Sequence, residues 1–227
     1  RPKTRSARLA ATRAKMDTNT NIRAGRDIPA NIAASQQPTN GLSTAHLTSW
    51  NPDYIAVYRR RMDMLTRMRS SEITRLGALE YYRTHPVEFI NHWCDTVDPR
   101  NAGTDKPANM PLILFPRQVD LVRFFEDLRA NQANGLVEKS RDMGATWVAC
   151  GYSVWLWIFY PDASIGWGSR KQEFVDKIGS MDSIFEKLRS IIRGLPREFW
   201  PKGFRPDIHF KMMHITNPEN GASISGE

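Results

Sequence analysis

Cysteine is scarce in this chain of 227 residues. Only Cys94 and Cys150 are present, and two cysteines are too few to build a disulfide framework. Aromatic residues, in contrast, are plentiful. Seven Trp, ten Phe and six Tyr supply the apolar surface of a packed core, which a disordered protein lacks. The composition therefore predicts a folded protein of a reducing cytosol.

The chain also lacks an apolar run that could comfortably cross a membrane. Its longest apolar run, residues 145–160, is shorter than the roughly 20 residues that a membrane-spanning helix needs. As a helix, this run would be apolar on nearly every side, which is typical of a helix buried inside a protein. We therefore expect no membrane partner.

Acidic side chains are rare at the start of the chain. Residues 1–45 carry eight Lys or Arg against only Asp17 and Asp27, so most of the formal net charge of +8 lies there. We predict a basic, largely disordered arm over residues 1–48. Its charge favours an anionic partner such as DNA, although a solvated tail without a partner fits the same composition.

Helical patterns predict a helical lid or N-terminal subdomain over residues 49–110. Asn51 and Pro52 mark a helix start, because proline suits the first helical position. Apolar residues then recur at helical spacing: Tyr54, Ile55, Tyr58, Met62, Leu65 and Met68. Further helices are predicted at about 72–83 and 86–94.

Three potential metal ligands occur within this subdomain. His85, His92 and Cys94 match no common zinc spacing, and the only other cysteine, Cys150, is far along the chain. We therefore expect structural roles for them.

The remainder, residues 111–227, predicts an α/β fold. A helix begins at Pro116, with an apolar stripe at spacings of three and four: Leu121, Phe124, Phe125 and Leu128. A short strand at 136–138, a buried helix over 146–160 and a second strand at 163–168 follow. Strand, helix and strand at this spacing predict a βαβ unit with parallel strands.

Two further helices and a hairpin are predicted after this unit. The helices lie at about 170–178, opened by a capping box at Ser169–Gln172, and at 181–193. An Asn-Gly pair then separates strand-like residues 211–216 from 222–225, which is a hairpin signal.

The loop before the buried helix is typical of phosphate binding. Residues 139–146 read Lys-Ser-Arg-Asp-Met-Gly-Ala-Thr, whereas the usual pattern is G-x-x-x-x-G-K-[ST]. Ala145 stands at the lysine position and Lys139 at the first glycine. A lysine at the mouth of the loop can still supply the cation, while backbone N–H groups gather around a polyanion. An ordinary strand–turn–helix corner remains the alternative.

The motif Lys139-Ser140-Arg141-x-x-Gly144-x-Thr146 resembles the deviant Walker A loop of tailed-bacteriophage terminase large subunits. These ATPases pump DNA into procapsids. Upstream, the segment Pro86-x-x-Phe89-Ile90…Trp93…Thr96-x-Asp98-Pro99-Arg100-Asn101 and the pattern Leu114-x-Pro116-x-Gln118 resemble the same family. Together with similarities after the loop, the resemblance covers roughly residues 80–227.

The resemblance implies a P-loop (RecA/ASCE-like) parallel-sheet core that uses ATP and Mg²⁺. Residues 111–227 would be its first part, because the chain ends before a Walker B strand and a nuclease domain. Lys139 and Arg141 would be catalytic, Arg141 as a finger acting in cis. Thr146 would bind Mg²⁺ and Gln118 would recognise adenine. The implied nucleotide-binding set is Gln118, Lys139, Ser140, Arg141, Asp142, Met143, Gly144, Ala145 and Thr146.

The resemblance also implies partners and a location. The partners are double-stranded DNA, the portal protein of the procapsid, a small terminase subunit and further copies of the chain in a ring. The location is the host cytoplasm. Arg170 and Lys171 lie at the end of a predicted strand, where ligands of open α/β sheets bind, and would contact DNA. Two alternatives remain. One is a helicase-like ATPase stimulated by nucleic acid, and the other is a DNA-binding or assembly module with a decayed nucleotide site.

Overall fold

The structure, a computed structural model, describes residues 52–98, 101, 103–105 and 107–227. The basic arm predicted over residues 1–48 lies outside the described residues. All of the described residues belong to one compact unit. They form a mixed α/β fold with eight α-helices and six short strands.

Three helices open the described chain, as the sequence predicts. They are α1 (Tyr54–Ser70), α2 (Glu72–Arg83) and α3 (Pro86–Trp93). Asp53 caps α1 by accepting a hydrogen bond from the backbone N–H of Ala56 at 3.1 Å. Pro52 therefore precedes the helix, and the predicted helix start is wrong by about two residues.

The apolar face predicted for α1 is only partly buried. Val57 and Met68 are buried, and Leu65 packs against the core. Ile55 and Met62 are 65% and 60% exposed. The prediction is wrong for these two residues because α1 packs through the side that carries Val57, Leu65 and Met68.

Helix α5 (Ala145–Phe159) is the centre of the core and confirms the predicted buried helix. Its Trp155 and Trp157 are completely buried, as is Phe89 on α3. The Trp155 indole donates to the backbone carbonyl of Tyr82 at 2.7 Å, which ties α5 to the end of α2. Within the described part of the chain, no helix combines the length and apolar character that a membrane crossing requires.

Helix α4 (Pro116–Asn131) also forms where it is predicted. Its most buried residues, however, are Gln118, Val119 and Val122, and the predicted stripe around Leu121 and Phe125 is only half-buried. Leu121 and Phe125 still pack against the core, but the neighbouring face of the helix is buried more deeply.

The strands form two small sheets. Strands β1 (Asp95–Val97) and β2 (Asn109–Pro111) pair antiparallel. The second sheet has the order β3-β6-β5-β4, in which only β3 and β6 are parallel. Its members are β3 (Ser164–Trp167), β4 (Phe210–Lys211), β5 (His214–Thr216) and β6 (Ser223–Gly226). The antiparallel β5–β6 pair confirms the hairpin predicted at the Asn-Gly turn.

The strand predicted at residues 136–138 is absent. This stretch has no regular secondary structure, and Leu136 is 90% exposed. The described strand β3 pairs with β6 and not with this stretch, so a strand here would lack the ladder hydrogen bonds that define one. The predicted βαβ unit is therefore wrong for the described residues.

The segment after β3 is less helical than predicted. Helix α6 covers only Gln172–Val175 and α7 covers Ile184–Gly194, while the short α8 (Pro206–His209) precedes β4. Ser169 does not cap α6, whose N-cap is Lys171. The chain leaves helical geometry at Asp176 because that residue turns inward to form an ion pair.

This ion pair belongs to a buried charged cluster. Arg189 on α7 binds Asp176 through two hydrogen bonds of 2.8 and 2.5 Å, and also contacts Glu186 at 3.2 Å. Asp176 accepts a further hydrogen bond from the backbone N–H of Met213 at 2.6 Å. The cluster therefore joins α7 to the turn between β4 and β5.

Candidate functional site

The start of helix α5 provides backbone donors for an anion. Gly144 is the N-cap, with φ +68°, and no side chain among the described residues caps the helix there. The first N–H groups of a helix have no partner within the helix. Together with the helix dipole, they favour a negatively charged ligand.

Gln118 holds the loop against this helix start. Its Nε2 donates to the Met143 carbonyl at 3.0 Å, and its Oε1 accepts from the Phe115 N–H at 3.0 Å. The side chain is buried, and a Cβ at Gly144 would lie 2.9 Å from Nε2. The Gln118 amide, which was expected to recognise adenine, is therefore hydrogen-bonded to the backbone. Adenine would have to bind the second N–H and the second lone pair of this amide.

The other end of the loop also rests on α4. A Cβ at Gly135 would come closer than van der Waals contact to the side-chain ends of Leu128 and Phe124, which would have to shift to admit it. Between the two contacts with α4, residues 136–143 are all exposed. Asp142 adopts a left-handed conformation with φ +62°, which aspartate tolerates better than most residues other than glycine.

A cleft of about 660 Å³ opens beside the loop, a size that suits a small-molecule ligand. Seven of the nine predicted nucleotide-binding residues line it: Gln118, Lys139, Asp142, Met143, Gly144, Ala145 and Thr146. Ser140 and Arg141 are not among its lining residues. The structure thus brings most of the predicted set together around the start of α5.

The two predicted catalytic residues are placed differently. Lys139 lines the cleft although its side chain is exposed. The Arg141 side chain is 95% exposed, and its Nε lies 3.9 Å from Asp142 Oδ1. An exposed pair at this distance contributes little to stability, so Arg141 is not held in one orientation by it.

Thr146 lies in the first turn of α5 and is the residue predicted to bind Mg²⁺. Oxygen ligands suit Mg²⁺, which usually binds one or two carboxylates together with phosphate groups. Thr146, Asp142 and Asp98 line the same cleft, and their side chains carry oxygen atoms of the kind that Mg²⁺ binds together with a nucleotide. Among the described residues, no group of three or more His, Cys, Asp or Glu could hold a metal ion.

The histidines near α3 have structural contacts. His92 Nδ1 is hydrogen-bonded to the Tyr82 hydroxyl at 2.9 Å, and His85 Nδ1 lies 2.7 Å from the Tyr81 carbonyl oxygen. Cys94 is a buried free thiol, and its pKa is raised because burial disfavours the thiolate.

The structure adds Lys187 to the cleft, a residue that the sequence reading missed. It lies on α7, half-buried, on the same helical stripe as Ile184, Leu188 and Ile191. The sequence signal for this residue is a lysine at a position of the apolar stripe of α7. Burial lowers the pKa of Lys187, because the ammonium group has lost part of its hydration, while Cys150 and Asp182 act in the opposite direction.

One wall of the cleft is apolar and comes from the hairpin of β1 and β2 together with α1. Its residues include Val97, Met110 and Tyr54. Burial raises the pKa of Tyr54. Such a wall suits the base or sugar of a nucleotide better than its phosphates.

Arg170 and Lys171, the predicted DNA contacts, lie outside this cleft. Both are exposed and lie near the ring of Phe174, at 5.2 and 6.0 Å from its centroid. Lys171 also lies 3.7 Å from the carboxylate of Glu173. They are accessible to a large partner, and DNA contact stays a prediction.

No protein-family model matches the chain, and a comparison with curated proteins finds no match. The functional argument therefore depends on the cleft itself and on the sequence motif that forms its floor. Together they offer a helix start without a side-chain cap, lysine and threonine side chains, and an apolar wall within one cleft.

Proposed function

We propose that the chain is the nucleotide-binding part of an ATPase that packages double-stranded DNA into a viral procapsid. The observation that carries this proposal is the meeting of Gln118, Lys139 and Thr146 in one cleft at the start of α5. Gln118 belongs to a different sequence pattern from Lys139 and Thr146, and 20 residues separate it from Lys139 along the chain. Their convergence supports a P-loop ATPase core, whereas the strand that leads into the loop in such cores is absent at residues 136–138.

The phosphates would lie against the first turn of α5. Phosphoryl transfer depends mainly on positioning and on charge stabilisation. Lys139 and the backbone N–H groups of the loop would bind the β- and γ-phosphates. Mg²⁺ bound with the nucleotide supplies neutralisation of phosphate charge, and Thr146 and Asp142 are the residues with suitable oxygen atoms to hold it.

Arg141 would act only during phosphoryl transfer. Its guanidinium is exposed and loosely paired, so a rotation into the cleft breaks no strong contact. There it would stabilise the charge that develops on the γ-phosphate, as an arginine finger does.

The wider roles in this proposal concern the whole motor. Double-stranded DNA would be the translocated substrate, with Arg170 and Lys171 as contacts. The portal protein, a small terminase subunit and further copies of the chain in a ring would be its partners in the host cytoplasm. Genome cutting would belong to an endonuclease domain outside this chain.

The test compares nucleotide binding and hydrolysis by the full-length protein and its Lys139→Ala variant. The proposal requires that wild type binds Mg²⁺–ATP, that DNA and procapsids stimulate hydrolysis, and that Lys139→Ala loses both activities. Lys202→Ala is the matched control, because Lys202 is also exposed but lies outside the cleft. ATP-dependent protection of DNA from added nuclease in the presence of procapsids reports packaging directly.

Three outcomes would contradict the proposal. Strand separation of duplex DNA without packaging would favour the helicase-like alternative. Absence of any nucleotide binding would favour the assembly module. Wild-type turnover in Lys139→Ala would show that Lys139 is not the phosphate lysine.

A further inference from the structure

We infer that Lys187, on helix α7, is a second phosphate-binding lysine of the cleft. The inference rests on the proposed nucleotide function and names a residue that lies outside the sequence motif. The first observation is the position of Lys187. Lys187 lines the same cleft as Lys139 and Thr146, and its Nζ lies 5.8 Å from the ring centroid of Trp147 in the first turn of α5.

The Lys187 ammonium group is held by carbonyl oxygens, but it forms no ion pair with a carboxylate of the described residues. Nζ donates to the backbone carbonyl of Met181 and lies 3.5 Å from that of Ser183. No Asp or Glu among the described residues comes within ion-pair distance of it. A lysine ammonium has three donors, so two carbonyl contacts leave one donor for a ligand.

Such a charge is costly to bury without an anion. Lys187 is partly buried, and the stripe of α7 on which it lies carries the apolar residues Ile184 and Leu188. A partly buried cation without a carboxylate gains more from an anionic ligand than a solvated one does. A phosphate group in the cleft would supply the missing counter-charge.

Lys139 and Lys187 differ in how firmly each is held before a ligand binds. Lys139 lies on an exposed loop, so binding must immobilise it. Lys187 lies on a packed helix, and carbonyl groups of the residues just before that helix already position its amine, so less entropy is lost when a ligand binds. We therefore assign Lys187 to the ground-state binding of phosphates that ATP and ADP share.

The experiment measures the affinity of the full-length protein for ATP, ADP and adenosine by calorimetry, in wild type and in Lys187→Met. Methionine keeps the length and apolar packing of the side chain and removes its charge. Loss of one charge-assisted hydrogen bond should weaken ATP and ADP on the order of 10- to 100-fold. Adenosine, which has no phosphate, should bind as it does to wild type. Lys202→Met is the matched control.

Two outcomes would overturn the inference. Unchanged affinity of folded Lys187→Met for ATP and ADP would remove Lys187 from the phosphate site. An equal loss for all three ligands would assign it a structural role. If Lys139→Ala abolishes ATP binding while Lys187→Met does not weaken it, only this inference fails. If wild type binds no nucleotide, the proposed function fails with it.

A second measurement does not require the variant to fold. Lysine acetylation of the wild-type protein, read by mass spectrometry, should be slowed at Lys187 by ATP and not by adenosine. Lys202 should react equally in both samples. Equal labelling of Lys187 with and without a saturating concentration of ATP would contradict a phosphate contact.

Discussion

The side-chain amide of Gln118 donates a hydrogen bond to the backbone carbonyl of Met143, with an Nε2–O distance of 3.0 Å. This bond joins the first turn of α4 to the last loop residue before the N-cap of α5. Gln118 is therefore positioned to fix the loop whether or not it also contacts the base. The two roles can be separated by experiment.

Gln118→Met should weaken binding of ATP and GTP alike. The variant keeps the volume of the side chain but loses the two hydrogen bonds that Gln118 makes, to the Met143 carbonyl and from the Phe115 N–H. A buried polar group that loses its partner costs about 1–3 kcal/mol. Calorimetry with both nucleotides, together with urea unfolding, measures the two effects.

The matched control is Gln172→Met, because Gln172 is exposed and outside the cleft. A selective loss of ATP binding, with GTP unaffected, would instead support the predicted contact between Gln118 and adenine.

Gly144→Ala should destabilise the start of α5. Gly144 has φ +68°, and an added Cβ would lie 2.9 Å from Gln118 Nε2. The left-handed conformation alone costs an alanine roughly 1–2 kcal/mol, and displacement of Gln118 adds to that. The free energy of unfolding in urea should fall by at least this amount, and ATP affinity should fall with it.

Gly168→Ala is the control for this change. No atom lies within 4 Å of the position that its Cβ would take, and its φ is outside the left-handed region. If Gly144→Ala is as stable as Gly168→Ala, the helix start does not depend on this backbone geometry.

Arg141→Ala should bind ATP with a near-normal Kd and fail to hydrolyse it. Loss of an interaction confined to the transition state lowers kcat and kcat/KM together. Arginine fingers contribute about 10³–10⁵ in rate. Because the side chain is 95% exposed, stability should change by less than about 0.5 kcal/mol.

Arg141→Lys tests the geometry of the group, since lysine keeps the charge but lacks the planar fork. Parallel losses of ATP affinity and stability in Arg141→Ala, at a normal residual kcat, would make Arg141 a structural residue.

Arg189→Met should be strongly destabilising. The substitution leaves Asp176, whose side chain is completely buried, without the cation that binds it. Removal of one partner of a buried ion pair costs about 3–5 kcal/mol. The double variant Asp176→Asn/Arg189→Met should recover part of this loss, because the uncompensated charge is gone.

The exposed pair Arg205–Asp207 provides the comparison. Its side chains are about two-thirds exposed, and Arg205→Met should cost no more than about 1 kcal/mol. A similar cost for Arg189→Met and Arg205→Met would show that the buried cluster contributes little to stability.

Local patterns in the sequence were sufficient for the elements that depend on local rules. The buried helix α5 follows from its continuous apolar composition, and the β5–β6 hairpin from its turn residues. Residues 136–138 were misread because a strand needs a neighbour to pair with, which a strand-like sequence cannot reveal. The short α6 was missed because Asp176 leaves the helix to pair with Arg189, which is 13 positions away in the sequence.

The candidate site was also predictable only where it depends on a local sequence motif. The loop and Gln118 carry a recognisable motif, and most of these residues do line one cleft. Lys187 could not be placed there from sequence, because its approach to the loop depends on how α7 packs against α5. The bond between Gln118 and Met143 likewise exists only once α4 and the loop have come together.

The loop is longer than it needs to be to span its two contacts with α4. Leu128 and Gln118 are about 15 Å apart along the helix axis, whereas an extended chain from Gly135 to Met143 can reach about 27 Å. The segment that carries Arg141 is therefore longer than the distance between its two contacts with α4. Arg141 therefore has room to change its position relative to the cleft while both ends of the loop stay in contact with α4.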